Sequence, residues 1–171
     1  MTNYDSVVDT VSPEVQQYWQ RFCAITGIDV ESRYIARIFG DPEIGVDIID
    51  ALVSAVKGGR KRGTTPCKVN LEHNNRSIPN VGDYWIVLNS QASPACVVRV
   101  TKVEHALFNE VDEAWAATEG EADSSLEYWY AMHRWWFQKC YKKWGVLWKE
   151  DAPIVKIYFE LVGERTASDT S

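Results

Sequence analysis

Six apolar side chains, Ile44, Ile48, Ile49, Leu52, Val53 and Val56, recur at helical spacing and stop at Gly58. A stripe of that width must be buried against another layer, so it fixes the position of the segment beyond its C-terminus. That segment reads Gly58-Gly59-Arg60-Lys61-Arg62-Gly63-Thr64-Thr65, three consecutive cations framed by glycines and succeeded by two hydroxyls. Glycine tolerates left-handed and strained backbone, which lets such a loop turn its amides and cationic tips toward one point. That geometry suits an anionic or carbonyl-bearing ligand. The same residues also form a plain helix stop with a solvated basic turn, in which Lys57 and Arg60 complement the helix dipole.

The remaining elements can be placed around this loop. Ser12-Pro13-Glu14 is a helix start, and Val15, Tyr18, Trp19 and Phe22 share the face it buries. Tyr34 to Phe39 is extended and closes on the turn Gly40-Asp41-Pro42. Residues 70–81 are polar and read as a connection. Strands are predicted at 84–88, 95–103 and 154–162. The last alternates, with Val155, Ile157, Phe159 and Leu161 on one face and Lys156, Tyr158 and Glu160 on the other. A helix is predicted from a cap at Asp123 or Ser124, with Ser124 and Glu127 as a capping box, to about Lys142. Its stripe of Leu126, Trp129, Tyr130, His133, Trp136, Phe137 and Tyr141 has the spacing of a core face.

Composition excludes some classes of function. A net charge of -6 argues against a protein that coats nucleic acid non-specifically. Between Lys57 and Lys68, however, there are five cations and no acid, a local patch within an acidic chain. Eight Trp and eight Tyr imply large aromatic core contributions or platforms for a ligand ring. The four cysteines have neither metal-ligand spacing nor a disulfide pattern. With no leader-like start and no apolar run of membrane-spanning length, the expectation is a cytoplasmic protein with reduced thiols. Residues 1–11 read as a flexible N-terminus, 12–162 as one domain, and 163–171 as a disordered tail.

Several pieces in order then resemble the ASCH (activating signal cointegrator homology) family. They are Phe39-Gly40-Asp41, Gly59-Arg60-Lys61 followed by Thr64, Gly82-Asp83-Tyr84, Pro94-Ala95-Cys96-Val97, and Glu119-Gly120-Glu121-Ala122-Asp123-Ser124-Ser125-Leu126 with Trp129, His133 and Phe137 beyond. The N-terminal Tyr18-Trp19-Gln20-Arg21-Phe22 helix resembles that of longer bacterial members. The resemblance implies an α+β fold: a small, mostly antiparallel PUA-like β-barrel surrounded by helices. It also implies RNA or a nucleoside as partner.

In one branch of the family a lysine, a threonine and a glutamate remove the acetyl group of acetylcytidine, and by motif position these fall on Lys61, Thr64 and Glu119. Some longer bacterial members have been assigned ribonuclease activity. For this chain the expectation is a hydrolase of ribonuclease type acting on single-stranded RNA. The alternatives are an acetylcytidine amidohydrolase and an RNA-binding module without turnover. Arg60, Arg62, Thr65, Glu121 and Ser125 would contact the substrate. Like charge from Arg60 and Arg62, with partial burial, should lower the Lys61 pKa and free a neutral amine. Glu119 would shuttle protons, and Thr64 would orient the lysine or bind the developing oxyanion. No resident metal is expected, although Glu119, Glu121 and Asp123 could hold a divalent cation through oxygen. His133 is expected to be a satisfied core histidine.

Overall fold

A computed structural model describes residues 12–164, so the expectations for 1–11 and for 165–171 lie outside the described residues. The strands are β1 (Tyr34–Arg37), β2 (Gly63–Thr64), β3 (Tyr84–Leu88), β4 (Pro94–Leu107) and β5 (Pro153–Glu164). They form one sheet in the order β1-β3-β4-β5-β2. All neighbours are antiparallel except β1 and β3, which run parallel. The expected mixture of helices around a mostly antiparallel sheet is present. The expected closed barrel is not.

Closure fails for a local reason. One edge strand, β2, is two residues long and runs into Pro66, which has no N–H to donate to a ladder. The other, β1, has four residues. Neither can extend along the other. Residues 37–39 at the end of β1 and residues 64–66 at β2 instead line a cavity, with Trp85 of β3 and Ile157 of β5 in its wall. The seam that a barrel would seal is the opening of the site.

Helices cover both faces of the sheet. Helix α1 (Pro13–Thr26) starts at Ser12, whose hydroxyl accepts from Val15 N–H at 3.2 Å. It buries Val15, Tyr18, Trp19 and Phe22 against Ile86 and Leu88. Helix α2 (Val46–Lys57) buries Leu52, Val53 and Val56 on the opposite side, with Trp85, Val87 and Phe159. Residues 85–88 thus serve two cores by the period of two of a strand. A third core joins α3 (Lys68–His73), α4 (Glu113–Glu119) and α5 (Leu126–Lys143) around Phe108, Trp115, Trp129 and Phe137.

The structure departs from the predicted elements at several points. The stretch expected to be a connection, residues 70–81, opens inside a short helix, because α3 runs on to His73. Strand β4 continues to Leu107 because the run from Glu104 to Leu107 pairs with Lys156 to Pro153. Strand β5 reaches Glu164, so residues 163 and 164 are strand rather than tail. Register irregularities between β4 and β5 rotate the end of the strand, leaving Leu161 exposed while Val162 packs on the α1 core. Helix α5 is capped one residue later than expected: Ser125 accepts from Tyr128 N–H at 3.1 Å, and Ser124 sits at φ 61. Among the described residues no helix is long and apolar enough to cross a membrane.

Ser125 is therefore a helix cap, and its replacement is expected to act on stability. Ser125→Ala should lower the unfolding free energy by about 1 kcal/mol in denaturant titration. An unchanged midpoint would show that the cap is not what the hydroxyl supplies.

Candidate functional site

The basic loop is wired into the fold through its backbone. Arg60 and Lys61 N–H both donate to Ala55 C=O at 2.9 Å, ending α2. Arg62 N–H donates to Thr118 C=O at 2.8 Å, and Phe159 N–H donates to Arg62 C=O at 3.0 Å. The loop is thereby clamped between α4 and β5. Two glycines make the fit possible. A Cβ on Gly63 would lie 2.6 Å from the Trp115 ring, and one on Gly120, at φ 58, would lie 2.1 Å from Arg60 O.

This clamp alternates the cations. Lys61 points inward and is buried, whereas Arg60 and Arg62 are exposed and lie outside the cavity lining. The expected convergence of three cationic tips is not observed. An extended backbone sends neighbouring side chains to opposite sides, so only the middle one can enter.

Inside, Lys61 Nζ donates to Glu119 Oε2 at 3.0 Å and to Glu121 Oε1 at 2.8 Å. It also lies 5.6 Å from the centre of the Phe39 ring. Glu119, at the end of α4, has no exposed surface. Its Oε1 accepts from Thr65 Oγ1 and, at 2.9 Å, from Trp129 Nε1. Thr65 in turn accepts from Trp115 Nε1 at 2.9 Å. His133 Nε2 lies 3.5 Å from Glu119 Oε1, while its Nδ1 is 2.9 Å from Trp129 C=O and its ring stacks on the Trp129 indole. The polar side-chain atoms of this buried cluster are thus all partnered, as a low-dielectric interior demands.

The electrostatics overturn the expectation of a neutral lysine. Burial alone would lower the Lys61 pKa, but Glu121 and Glu119 outweigh it and hold the ammonium above its ordinary value. Burial would raise Glu119. Lys61, His133 and the Thr65 and Trp129 donors reverse this and bring it down to about 2. These shifts favour the charged form of both partners, which places Lys61 as the cation that bridges Glu119 and Glu121.

The cavity beside this cluster measures about 100 Å³. Phe39, Trp85, Leu52 and Ile157 supply apolar wall, Thr64, Thr65, Asn70 and His133 supply polar groups, and the charged groups are Asp41, Glu121, Arg37 and Arg76. Of the three expected catalytic residues, Thr64 lines the cavity, while Lys61 and Glu119 lie behind its wall. Thr65, rather than Thr64, bonds Glu119. Glu121 is the carboxylate that joins the cluster to the cavity. Ser125 is committed to the α5 cap.

A cation site would keep two of the three expected residues, Glu119 and Glu121, with His133 in place of Asp123. Asp123 is turned toward Ser125 N–H at 2.9 Å. Glu119, Glu121 and His133 instead bring ligand atoms within 4.8 Å of one another. The Lys61 ammonium already bridges the two carboxylates, so a divalent ion could enter only by displacing it.

The roles of His133, Trp115 and Trp129 are not legible in the sequence as site features. Their spacing is that of a core face, and they do pack in the interior. What periodicity does not encode is where an indole N–H points.

Two outcomes test this arrangement. Lys61→Met should cost about 3–5 kcal/mol, because it leaves two buried or half-buried carboxylates without their cation. A small change in denaturant midpoint would contradict the assigned pairing. For Glu119 the folded pKa lies below its ordinary value near 4.5, so its stabilisation is present above that pH and is lost toward about 2. Wild type should therefore lose more stability than Glu119→Gln between pH 4.5 and 2. Equal losses would mean that Glu119 is not the depressed group.

A family model described as "ASCH domain" matches residues 37–163. The structure is similar to that of an ASCH domain from Lactobacillus crispatus JV V101, with TM-score 0.77 and 23% identity, covering 92% of this chain and 100% of the other. It is also similar to a protein from Enterococcus faecalis V583, with TM-score 0.77 and 28% identity, covering 92% of this chain and 93% of the other. No curated protein gives a significant match. On a family match that spans well over half of its length, the chain belongs to the ASCH domain family.

Proposed function

We propose that this protein is RNA- or nucleoside-directed and seats one amino-bearing base in the cavity beside Glu121. The ASCH family is generally linked to RNA binding, and the composition of the cavity supports a base as the group recognised. A base is flat, with weakly apolar faces and a polar edge. Phe39 and Trp85 supply aromatic wall, and Asp41 and Glu121 supply acceptors. A volume of about 100 Å³ has room for several waters, and hence for a single ring in their place. The single observation that carries the proposal is the placement of Glu121. Lys61 fixes one of its oxygens at 2.8 Å while the residue lines the cavity, so an oriented carboxylate faces the ligand. Such an acceptor favours the exocyclic amine of cytosine or adenine over the carbonyl that uracil carries at the corresponding position.

A second reading adds turnover at the same place. Glu121 is positioned to take a proton from a water that adds to an acyl carbonyl on the exocyclic nitrogen. Collapse of the adduct breaks the C–N bond, the amine recovers that proton, and a carboxylic acid leaves. Acetylcytidine is the substrate of this kind. Phosphodiester cleavage is less well supported, because Arg60 and Arg62 face solvent, Lys61 is neutralised by two carboxylates, and the cations that do line the cavity, Arg37 and Arg76, share it with Asp41 and Glu121.

Calorimetric titration with cytidine and uridine tests the binding claim. Wild type should prefer cytidine by about 10- to 100-fold, the range of one charge-assisted hydrogen bond. Glu121→Gln should erase the preference. Equal affinity for the two nucleosides, or a preference that survives the substitution, would overturn the assignment. Incubation with acetylcytidine and, separately, single-stranded RNA tests turnover. Release of acetate by wild type but not by Glu121→Gln is the expected result of the second reading, and cleaved RNA with intact acetylcytidine contradicts it.

A further inference from the structure

One face of α5 runs beside the cavity. Met132, Trp136, Lys139 and Lys143 succeed one another at spacings that keep them on one side of the helix. Met132 and Trp136 line the cavity, and the face extends about 16 Å from Met132 to Lys143. Beside it Trp135 is 48% exposed, its ring centre 6.2 Å from that of Trp136. Lys139 Nζ lies 5.7 Å from the Trp135 ring and 5.9 Å from the Trp136 ring. Further along, Lys143 Nζ lies 5.4 Å from the Trp144 ring. Trp144 stacks on His73 at 4.5 Å and donates to Asn70 Oδ1 at 3.0 Å, a residue of the cavity wall. Both ends of the strip are thus tied to the cavity.

The charge on this face is lopsided. Lys139 and Lys143 share a single acceptor, Glu43, at 3.0 and 3.4 Å. Two ammonium groups on one exposed carboxylate leave positive charge in surplus, in a protein whose net charge is -6. Flat aromatic rings interleaved with cations match the alternation of bases and phosphates in a single strand.

We propose that this face of α5 is a second subsite, taking the nucleotides that flank the base in the cavity, so that the ligand is single-stranded RNA rather than a free nucleoside. The proposal rests on the cavity accepting a base. Glu43 stands where a phosphate would sit and competes with it for both lysines.

Binding of cytidine and of a short cytidine-containing single-stranded RNA, measured at several salt concentrations, tests this on the full chain. The variants are Lys139→Gln/Lys143→Gln, Trp135→Ala and Glu43→Gln, all at exposed positions. Wild type should bind the RNA about 10-fold or more tighter than cytidine. The double variant should flatten the slope of log affinity against log salt by about 1.4, two contacts at about 0.7 each. Trp135→Ala should weaken RNA binding by about 5-fold or more. Glu43→Gln should tighten it about twofold or more, and none of the variants should alter cytidine affinity. If cytidine binds but RNA is held no tighter, or if the double variant leaves the RNA slope unchanged, the subsite is refuted and the cavity assignment stands. RNA binding that depends on the lysines without any cytidine binding would refute the cavity assignment, and with it a subsite that flanks a seated base. Failure of both ligands refutes both.

Discussion

The Lys61–Glu119 ion pair is the interaction on which the rest of this structure depends. Two opposite charges sit in the interior with almost no exposed side-chain surface. Desolvating such groups is costly, and their mutual attraction offsets that cost only when the remaining polar atoms are also satisfied. Here they are satisfied by elements distant in sequence. Thr65 comes from the segment after β2, Trp129 and His133 from α5, and Glu121 from the turn after α4. An ordered cluster of this kind specifies how α4, α5 and the basic loop meet, because a shifted register would leave buried donors unpaired.

That specification shapes the cavity. The inward lysine and the close approach of Gly63 and Gly120 to their neighbours draw α4 against the loop. Two short edge strands are left without partners across the seam, and the space between them becomes a cleft with aromatic walls. The cluster lies behind that wall and reaches it through Glu121. In this arrangement the lysine acts by aiming a carboxylate. Its charge is held inside the protein, and the exposed arginines on either side of it are left to face solvent or a distant part of a ligand.

Much of this organisation is legible in the sequence, and the legible parts are those governed by local periodicity. The stripe from Ile48 to Val56, the Ser12 cap and the strands around Tyr84 and Ile154 are all present, whereas Ile44, expected in the same helix, lies in a separate 3-10 turn cut off by Gly45 at φ 105. The pairing of the basic loop with the segment around Glu119 is also legible, through family resemblance. The parts that cannot be read are set by tertiary contact. The sequence shows the arginine neighbours of Lys61 and so predicts a lowered pKa, whereas the folded chain shows its carboxylate partners and a raised one. Thr64 and Thr65 are adjacent and chemically alike, and only the direction of the strand decides which one meets Glu119. The barrel fails because closure depends on the length of edge strands, and a two-residue strand such as β2 leaves almost no periodic signal.

The most direct test of the internal ion pair is the protonation state of Lys61 itself, followed by nitrogen-15 NMR of its side-chain ammonium as pH is raised. The expected result is a slowly exchanging ammonium that stays charged through its ordinary value of 10.5, with the signal lost on Glu119→Gln/Glu121→Gln. A lysine that is already neutral near pH 7 would contradict the pairing, and would restore Lys61 as a nucleophile.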